Sequence, residues 1–202
     1  MNDIVAVILA GGRGKRLHMT TPKPLVQVAG KRCIDYIIEH LQRAKVKDII
    51  LALYFKPTEF QEYWSKKGIG FSQIQSVDYG TAGALLSMED WLSDPFIVWN
   101  GDTISNIDLQ AMLNHHRTTN SKATVFTHQD LIHSGGIYIF NKEILSYIPH
   151  DISYSIHEDL IPDLINKGVP ITAFKTKDYY YDIGSKDKLT WANEKLTSLS
   201  DL

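Results

Sequence analysis

Apolar residues in this chain fall into short continuous runs, separated by stretches in which they recur every third or fourth position. The runs "DIVAVILA" (3–10), "DIILALYF" (48–55) and "PFIVWNGD" (95–102) are rich in β-branched residues and read as strands buried on both faces. "CIDYIIEHLQRA" (33–44) puts apolar residues at 34, 37, 38 and 41, a single stripe along a helix. "PTEFQEYWSKKG" (57–68) opens on proline and closes on glycine, which predicts another helix. "FSQIQSV" (71–77) alternates as a strand does, and "GTAGALLSMEDWL" (80–92) predicts a helix with a glycine-rich start. Further on, "IDLQAMLNHHRT" reads as a helix, and "KATVFT" and "GGIYIF" (135–140) as strands. The helix "IHEDLIPDLINKG", a strand near 170–175 and a last helix from about Ser185 complete the pattern.

Strands alternating with helices imply an α/β fold. The expectation is a single Rossmann-like three-layer domain spanning 1–202, with a mostly parallel (mixed) sheet and helices on both faces. In such sheets ligands bind beyond the C-terminal ends of the strands. That rule brings residues 10–23 and 100–102 to one edge.

Composition narrows the partners. With 202 residues, 44% of them hydrophobic, the chain can bury one sizeable core. A net charge of −2 offers no electrostatic case for nucleic acid. No apolar run has membrane-spanning length, so no membrane partner is expected. The lone cysteine, Cys33, excludes an internal disulfide, fits a reducing cytoplasmic setting and is expected to pack against the sheet. Oligomeric state is open, a homo-oligomer included. His115 and His116, on a predicted helix, are expected in solvent.

The chemistry concentrates after the first strand, in "VILAGGRGKRLHMTTPKPLVQVAGK". Gly11, Gly12 and Gly14 let backbone N–H groups approach a ligand with no Cβ in the way. Arg13, Lys15 and Arg16 add positive charge beside those donors, a combination suited to a polyphosphate. The spacing is neither G-x-G-x-x-G nor a Walker loop. Lys23 stands between two prolines, which predicts an extended backbone and a lysine that loses little entropy on pointing one way. Asp102 ends the strand of "WNGD", and Asp182 ends the aromatic strand of "YYYDIGS". Each is either a turn-capping acid or a Mg²⁺ ligand, an ion that takes one or two carboxylates and keeps waters.

Taken in order, "LAGGRGKRL…PKPLVQVAGK", "GTAGAL", "NGDT", "GGIYIF" and "YDIGS" resemble the sugar-1-phosphate nucleotidyltransferases over nearly the whole chain. The resemblance implies transfer of a nucleoside monophosphate from an NTP to a sugar 1-phosphate, with release of pyrophosphate. Such a reaction supplies precursors of surface polysaccharide or cell wall. By resemblance, Leu9, Ala10, Gly11 and Gly12 bind nucleotide, with Gly11, Gly14 and Arg16 at the phosphates and Lys23 at the α-phosphate. Arg16 and Lys23 are then the catalytic pair. Gly80, Thr81, Ala82 and Gly83 face base and sugar, while Asp102 and Asp182 hold Mg²⁺. Gly136 and Glu158, the latter with Asp159 beside it, lie toward the acceptor sugar phosphate.

Three departures from the family pattern stand out. Lys15 replaces a usual threonine, the segment from Leu17 to Pro22 is short, and "HQDLIHS" stands where relatives carry a hairpin with an acceptor-phosphate lysine. Arg13 and Lys15 are the nearest replacements for that charge. The short GTP-dependent mannose- or heptose-1-phosphate enzymes fit best. Uridylyl, thymidylyl or cytidylyl transfer is the alternative, as is a degenerate nucleotide-binding regulatory subunit.

Overall fold

The computed structural model describes residues 3–12, 20–46, 48–61, 69, 71–74, 77–128 and 135–200. In chain order they form β1 (Val5–Leu9), the short strands β2 (Gln27–Val28) and β3 (Lys31–Arg32), α1 (Cys33–Arg43), β4 (Asp48–Leu53) and β5 (Phe71–Ile74). There follow α2 (Gly80–Leu86), β6 (Phe96–Asn100), β7 (Thr103–Ser105), α3 (Leu109–Thr118), β8 (Ala123–His128) and β9 (Ile137–Phe140). The last are α4 (Ile161–Asn166), β10 (Ile171–Thr176), β11 (Tyr180–Asp182) and α5 (Lys186–Ser200).

Seven strands make the main sheet, in the order β10-β8-β9-β6-β1-β4-β5. β1 runs parallel to both β4 and β6, so the chain leaves it in one direction and later returns on its other side. That reversal is the switch point at which open α/β sheets bind ligands. β9 alone is antiparallel, paired to β6 and to β8, which makes the sheet mixed as expected.

Alternation along β1 shows why the run is apolar throughout. Ala6 and Ile8 point into one core, with Ile34, Ile37, Ile38 and Leu41 of α1 and with α3 and α5. Val5 and Val7 point into the other, with Ala82 and Leu85 of α2 and with Leu164 of α4. Helices therefore cover both faces, and each fully buried Ile or Leu contributes about 1.5–3 kcal/mol. Cys33 packs here too, at 0% exposure.

Three expectations change. The helix predicted over 57–68 begins as a 3-10 turn, Pro57–Phe60, and residues 62–68 lie outside those described. The helix predicted over 80–92 stops at Leu86, because the Ser87 hydroxyl donates back to the Ala84 carbonyl and the chain tightens into a 3-10 turn at Glu89–Trp91. Finally, His116 is not in solvent. α3 turns it onto the sheet at 3% exposure, with Nδ1 2.8 Å from Thr124 Oγ1 and Nε2 2.7 Å from Asn141 Oδ1. His115, half-buried, sets its ring against Phe174. His116 falls on the buried stripe of α3 with Leu109, Met112 and Leu113, which lies over β8, β9 and β10, while Asn114, Arg117 and Thr118 form the exposed face.

Candidate active site

At the C-terminal end of β1 the backbone is pressed from both sides. Ala10 N–H donates to the Ala52 carbonyl at 2.9 Å, and a Cβ on Gly11 would stand 3.0 Å from Tyr54 Cβ. Across the edge, Gly101 N–H donates to the Leu9 carbonyl, and a Cβ at Gly101 would meet that oxygen and Pro24 Cγ at 2.8 Å. Gly12, by contrast, faces open space. These close approaches frame a cavity of about 220 Å³. Leu9, Gly11, Gly12, Lys23, Gly80 and Thr81 line it, as does Asp102. Sequence reasoning missed Tyr54 and Asp78 in that lining, and it carried no signal for them: each is an ordinary loop residue until the fold places it.

Lys23 differs from its predicted backbone. Rather than extending, it opens a 3-10 turn, Lys23–Leu25, closed by Leu25 N–H to the Pro22 carbonyl at 2.9 Å and Val26 N–H to the Lys23 carbonyl at 3.1 Å. Only the preceding Pro22 is extended, and burial of Pro24 and Leu25 pins the turn to the core. Its ammonium meets Asp102 Oδ2 at 2.9 Å, with the two side chains 14% and 27% exposed.

Asp102 and Asp182 are brought together by a strand pair that local pattern does not reveal. β7 and β11 run antiparallel with Asp182 opposite Thr103, and Ile183 N–H donates to the Asp102 carbonyl at 3.0 Å. Trp99 Nε1 donates to the Thr103 carbonyl and fixes the turn between β6 and β7. Asp182 Oδ1 accepts from Gly184 N–H at 2.6 Å, and Oδ2 accepts from Lys188 of α5. A Cβ on Gly184 would lie 2.8 Å from Asp182 Oδ1 and 3.5 Å from Lys23 Nζ, so the two acids flank one lysine. Their charge reaches inward. Burial pushes the Cys33 thiol well up, and Asp102 and Asp182 add to that, which keeps it a neutral thiol beneath the site. Burial, then the same two acids, also hold the Tyr180 phenol far above its usual range.

The acid pair suits a hard divalent cation. Two carboxylates converge at one edge, each already holding a cation in the form of a lysine ammonium. Among the described residues no cluster of three or more His, Cys, Asp or Glu gathers. Such a sparse oxygen set matches Mg²⁺, which retains waters and takes substrate phosphates as ligands.

The GTAGA segment is clamped from behind. Gly80 has φ +73°, and a Cβ there would stand 2.6 Å from the Tyr154 carbonyl oxygen. Ala82 and Gly83 both donate their N–H to that oxygen and are buried, so Gly80 and Thr81 meet the cavity while Ala82 and Gly83 back it. Thr81 Oγ1 accepts from Ile156 N–H at 2.8 Å. Gly136, at φ +74°, returns its carbonyl to Asn100 N–H, and a Cβ would strike Asn100 Nδ2 at 2.5 Å. Glu158 is exposed at the start of a wide π turn, Ile156–Leu160, while Asp159 accepts from Ser155 N–H as a reciprocal cap. Arg13, Gly14, Lys15 and Arg16 lie outside the described residues.

Known proteins resemble this chain in sequence and in fold. A mannose-1-phosphate guanyltransferase from Yarrowia lipolytica is 28% identical over 96% of this chain, which spans 64% of that protein's length. A D-glycero-alpha-D-manno-heptose 1-phosphate guanylyltransferase from Campylobacter jejuni is 28% identical over 89% of the chain and 94% of its own length. The crystal structure of HddC from Yersinia pseudotuberculosis superimposes with a TM-score of 0.80 at 26% identity, covering 96% of this chain and 99% of that one. The same protein complexed with GMP-PN matches equally well, at 27% identity. The profile of the family described as Nucleotidyl transferase matches residues 5–133 and 127–198, and the chain belongs to that family.

Proposed function

We propose that this chain, acting as one catalytic domain, transfers a nucleoside monophosphate from an NTP to a sugar 1-phosphate, giving an NDP-sugar and pyrophosphate. The best-fitting pair is GTP with a mannose- or heptose-type 1-phosphate, in keeping with relatives named as guanylyltransferases of both kinds. The observation that carries the reading is the Lys23–Asp102 pair at the switch point, set between a glycine-lined cavity and Asp182.

An acceptor phosphate oxygen attacks the α-phosphorus, the new P–O bond forms, the α–β P–O bond breaks, and pyrophosphate carries the electron pair away. The nucleophile is already an anion, so no base is needed. The barrier is charge: anions brought to about 4 Å near a protein surface repel by several kcal/mol per charge pair. The chain's residues meet that by positioning and neutralisation. Leu9, Gly11, Gly12, Gly80 and Thr81 cradle the nucleotide, with Ala10, Ala82 and Gly83 shaping the wall from behind. Lys23 and Arg16 neutralise the α-phosphate as charge builds, and Gly14 belongs to the same phosphate loop. Asp102 and Asp182 would hold Mg²⁺, which when bound would supply further positive charge at the phosphates. Arg13 and Lys15 bring positive charge toward the acceptor phosphate or the departing pyrophosphate, and Gly136 and Glu158 serve the acceptor. A buried free thiol accords with a reducing, cytoplasmic setting.

Pyrophosphate release, measured with Mg²⁺ across four NTPs and a panel of sugar 1-phosphates, tests the reading. The highest rate is expected with GTP and a mannose- or heptose-type 1-phosphate. No release with any pair overturns it.

A further inference from the structure

Lys23 is not the one cation resting on an acid at this edge. Lys188, in the first turn of α5, donates to Asp182 Oδ2, while the other oxygen of that carboxylate is taken by Gly184 N–H. The cavity's lining ends at Lys23 and Asp102 and includes neither Asp182 nor Lys188. Lys23 and Asp102 pair within the cavity's lining, whereas Lys188 pairs with Asp182 outside it. Lys188 is thus a cation at the acid pair that does not belong to the glycine-lined cavity.

Its tether is light. The side chain is 56% exposed, and an ion pair so open to water holds weakly. Lysine's ammonium is a compact charge on a flexible stem and can exchange one oxygen partner for another. Resting on the proposed function, a divalent ion taken up at Asp182 would weaken that carboxylate's hold on the more exposed Lys188, since the two cations repel. A released Lys188 then has phosphate oxygens as its nearest compensating partner.

We propose that Lys188 binds the phosphate of the acceptor sugar 1-phosphate, and that its pairing with Asp182 is the resting position from which it is released. It is a substrate-binding residue for the second substrate, distinct from Lys23, which serves the nucleotide. The pairing also keeps Asp182 neutralised and oriented before the substrates arrive.

The test compares the full-length wild type with Lys188→Gln and Lys188→Arg. Steady-state kinetics use the NTP and sugar 1-phosphate that the wild type turns over best. Calorimetry with mannose 1-phosphate as the probe, in Mg²⁺ and a non-hydrolysable GTP analogue, reads binding without turnover. Lys188→Gln is expected to raise KM for the acceptor and the calorimetric Kd by roughly tenfold, the scale of one charge-assisted contact. KM for the NTP stays within about twofold, and Lys188→Arg restores most of the loss. Unchanged acceptor KM and Kd in Lys188→Gln, beside an active wild type, would overturn this assignment alone. A rise confined to the NTP would also overturn it, by moving Lys188 to the nucleotide side. A wild type that releases no pyrophosphate with any pair overturns the proposed function, and this inference with it.

Discussion

Lys23 and Asp102 lie 79 positions apart in sequence and meet at 2.9 Å, Nζ to Oδ2, where the turn after the glycine loop crosses the end of β6. The contact joins the glycine-lined cavity to the acid pair. It also keeps a lysine poised at the edge of the cavity without leaving its charge uncompensated, since burying an unpaired ammonium is costly.

Removing that ammonium is expected to damage turnover far more than folding. Lys23→Ala should lower kcat roughly a hundredfold or more, the usual loss when a preorganised charge donor is deleted. Thermal unfolding should stay within about 1 kcal/mol of wild type, because the pair is partly open to solvent. Near-normal kcat in a folded Lys23→Ala protein would remove the residue from the mechanism.

Asp102→Asn and Asp182→Asn should each raise the Mg²⁺ concentration needed for half-maximal rate and depress the rate at saturation. Asp182 sits on β11 and Asp102 in the turn just before its partner strand β7, the two flanking Lys23, so a single neutralised carboxylate weakens the shared set. A Mg²⁺ titration of initial rate reads the effect. Independence of either variant from added Mg²⁺, with unchanged activity, would take that acid out of the metal site.

Two glycines of the cavity separate structural from functional demand. Gly80→Ala puts a Cβ 2.6 Å from the Tyr154 carbonyl oxygen at a φ of +73°, where backbone rather than a flexible side chain has to move. It should cost about 1–3 kcal/mol in thermal or urea unfolding. Gly12→Ala meets nothing within 4 Å and should leave stability within about 0.5 kcal/mol. On the proposed function it should still raise KM for the NTP, because the methyl group would project into the cavity assigned to the nucleotide. Equal stability of the two variants would contradict this reading of Gly80.

Stability should fall as the solution is acidified through the range of ordinary histidine titration. Burial lowers the pKa of His116, against a raising contribution from its bond to Asn141, and burial likewise lowers that of His40. A depressed folded-state pKa means the unfolded chain binds the proton first. The stability is fully present above about pH 6.5, the unfolded value, and is lost as pH falls toward the lower folded values. Asp94, His115 and Arg117 are the charged or titratable groups that modulate His116. Thermal midpoints measured from pH 8 to pH 5 should show the decline, and His116→Gln should flatten it. An equal slope in that variant would show that His116 is not titrating.

Much of the architecture is written in the local pattern. A run such as residues 4–10, apolar at every position, can be satisfied only by a strand covered on both faces, and β1 is covered in that way. The glycines at 11 and 12 and the asparagine–glycine–aspartate after β6 mark the two sides of the ligand edge, because a parallel sheet presents its strand ends there. These features depend on neighbours within a few residues, so the sequence determines them by itself.

What the tertiary structure decided is which distant groups meet. β9 enters antiparallel between β6 and β8, and the alternation of apolar residues is the same for either direction of pairing. Asp182 reaches Asp102 only because β11 pairs with β7 in one register, and a three-residue strand carries too little pattern to specify a partner. Lys188 reaches Asp182 because α5 is set beside that register. His116 continues the buried stripe of Leu109, Met112 and Leu113, but its partners Thr124 and Asn141 come from β8 and the end of β9, and only the fold supplies them. Periodicity reports how much of each face is buried, whereas charge pairing and strand partnership depend on separations through space that only the folded chain fixes.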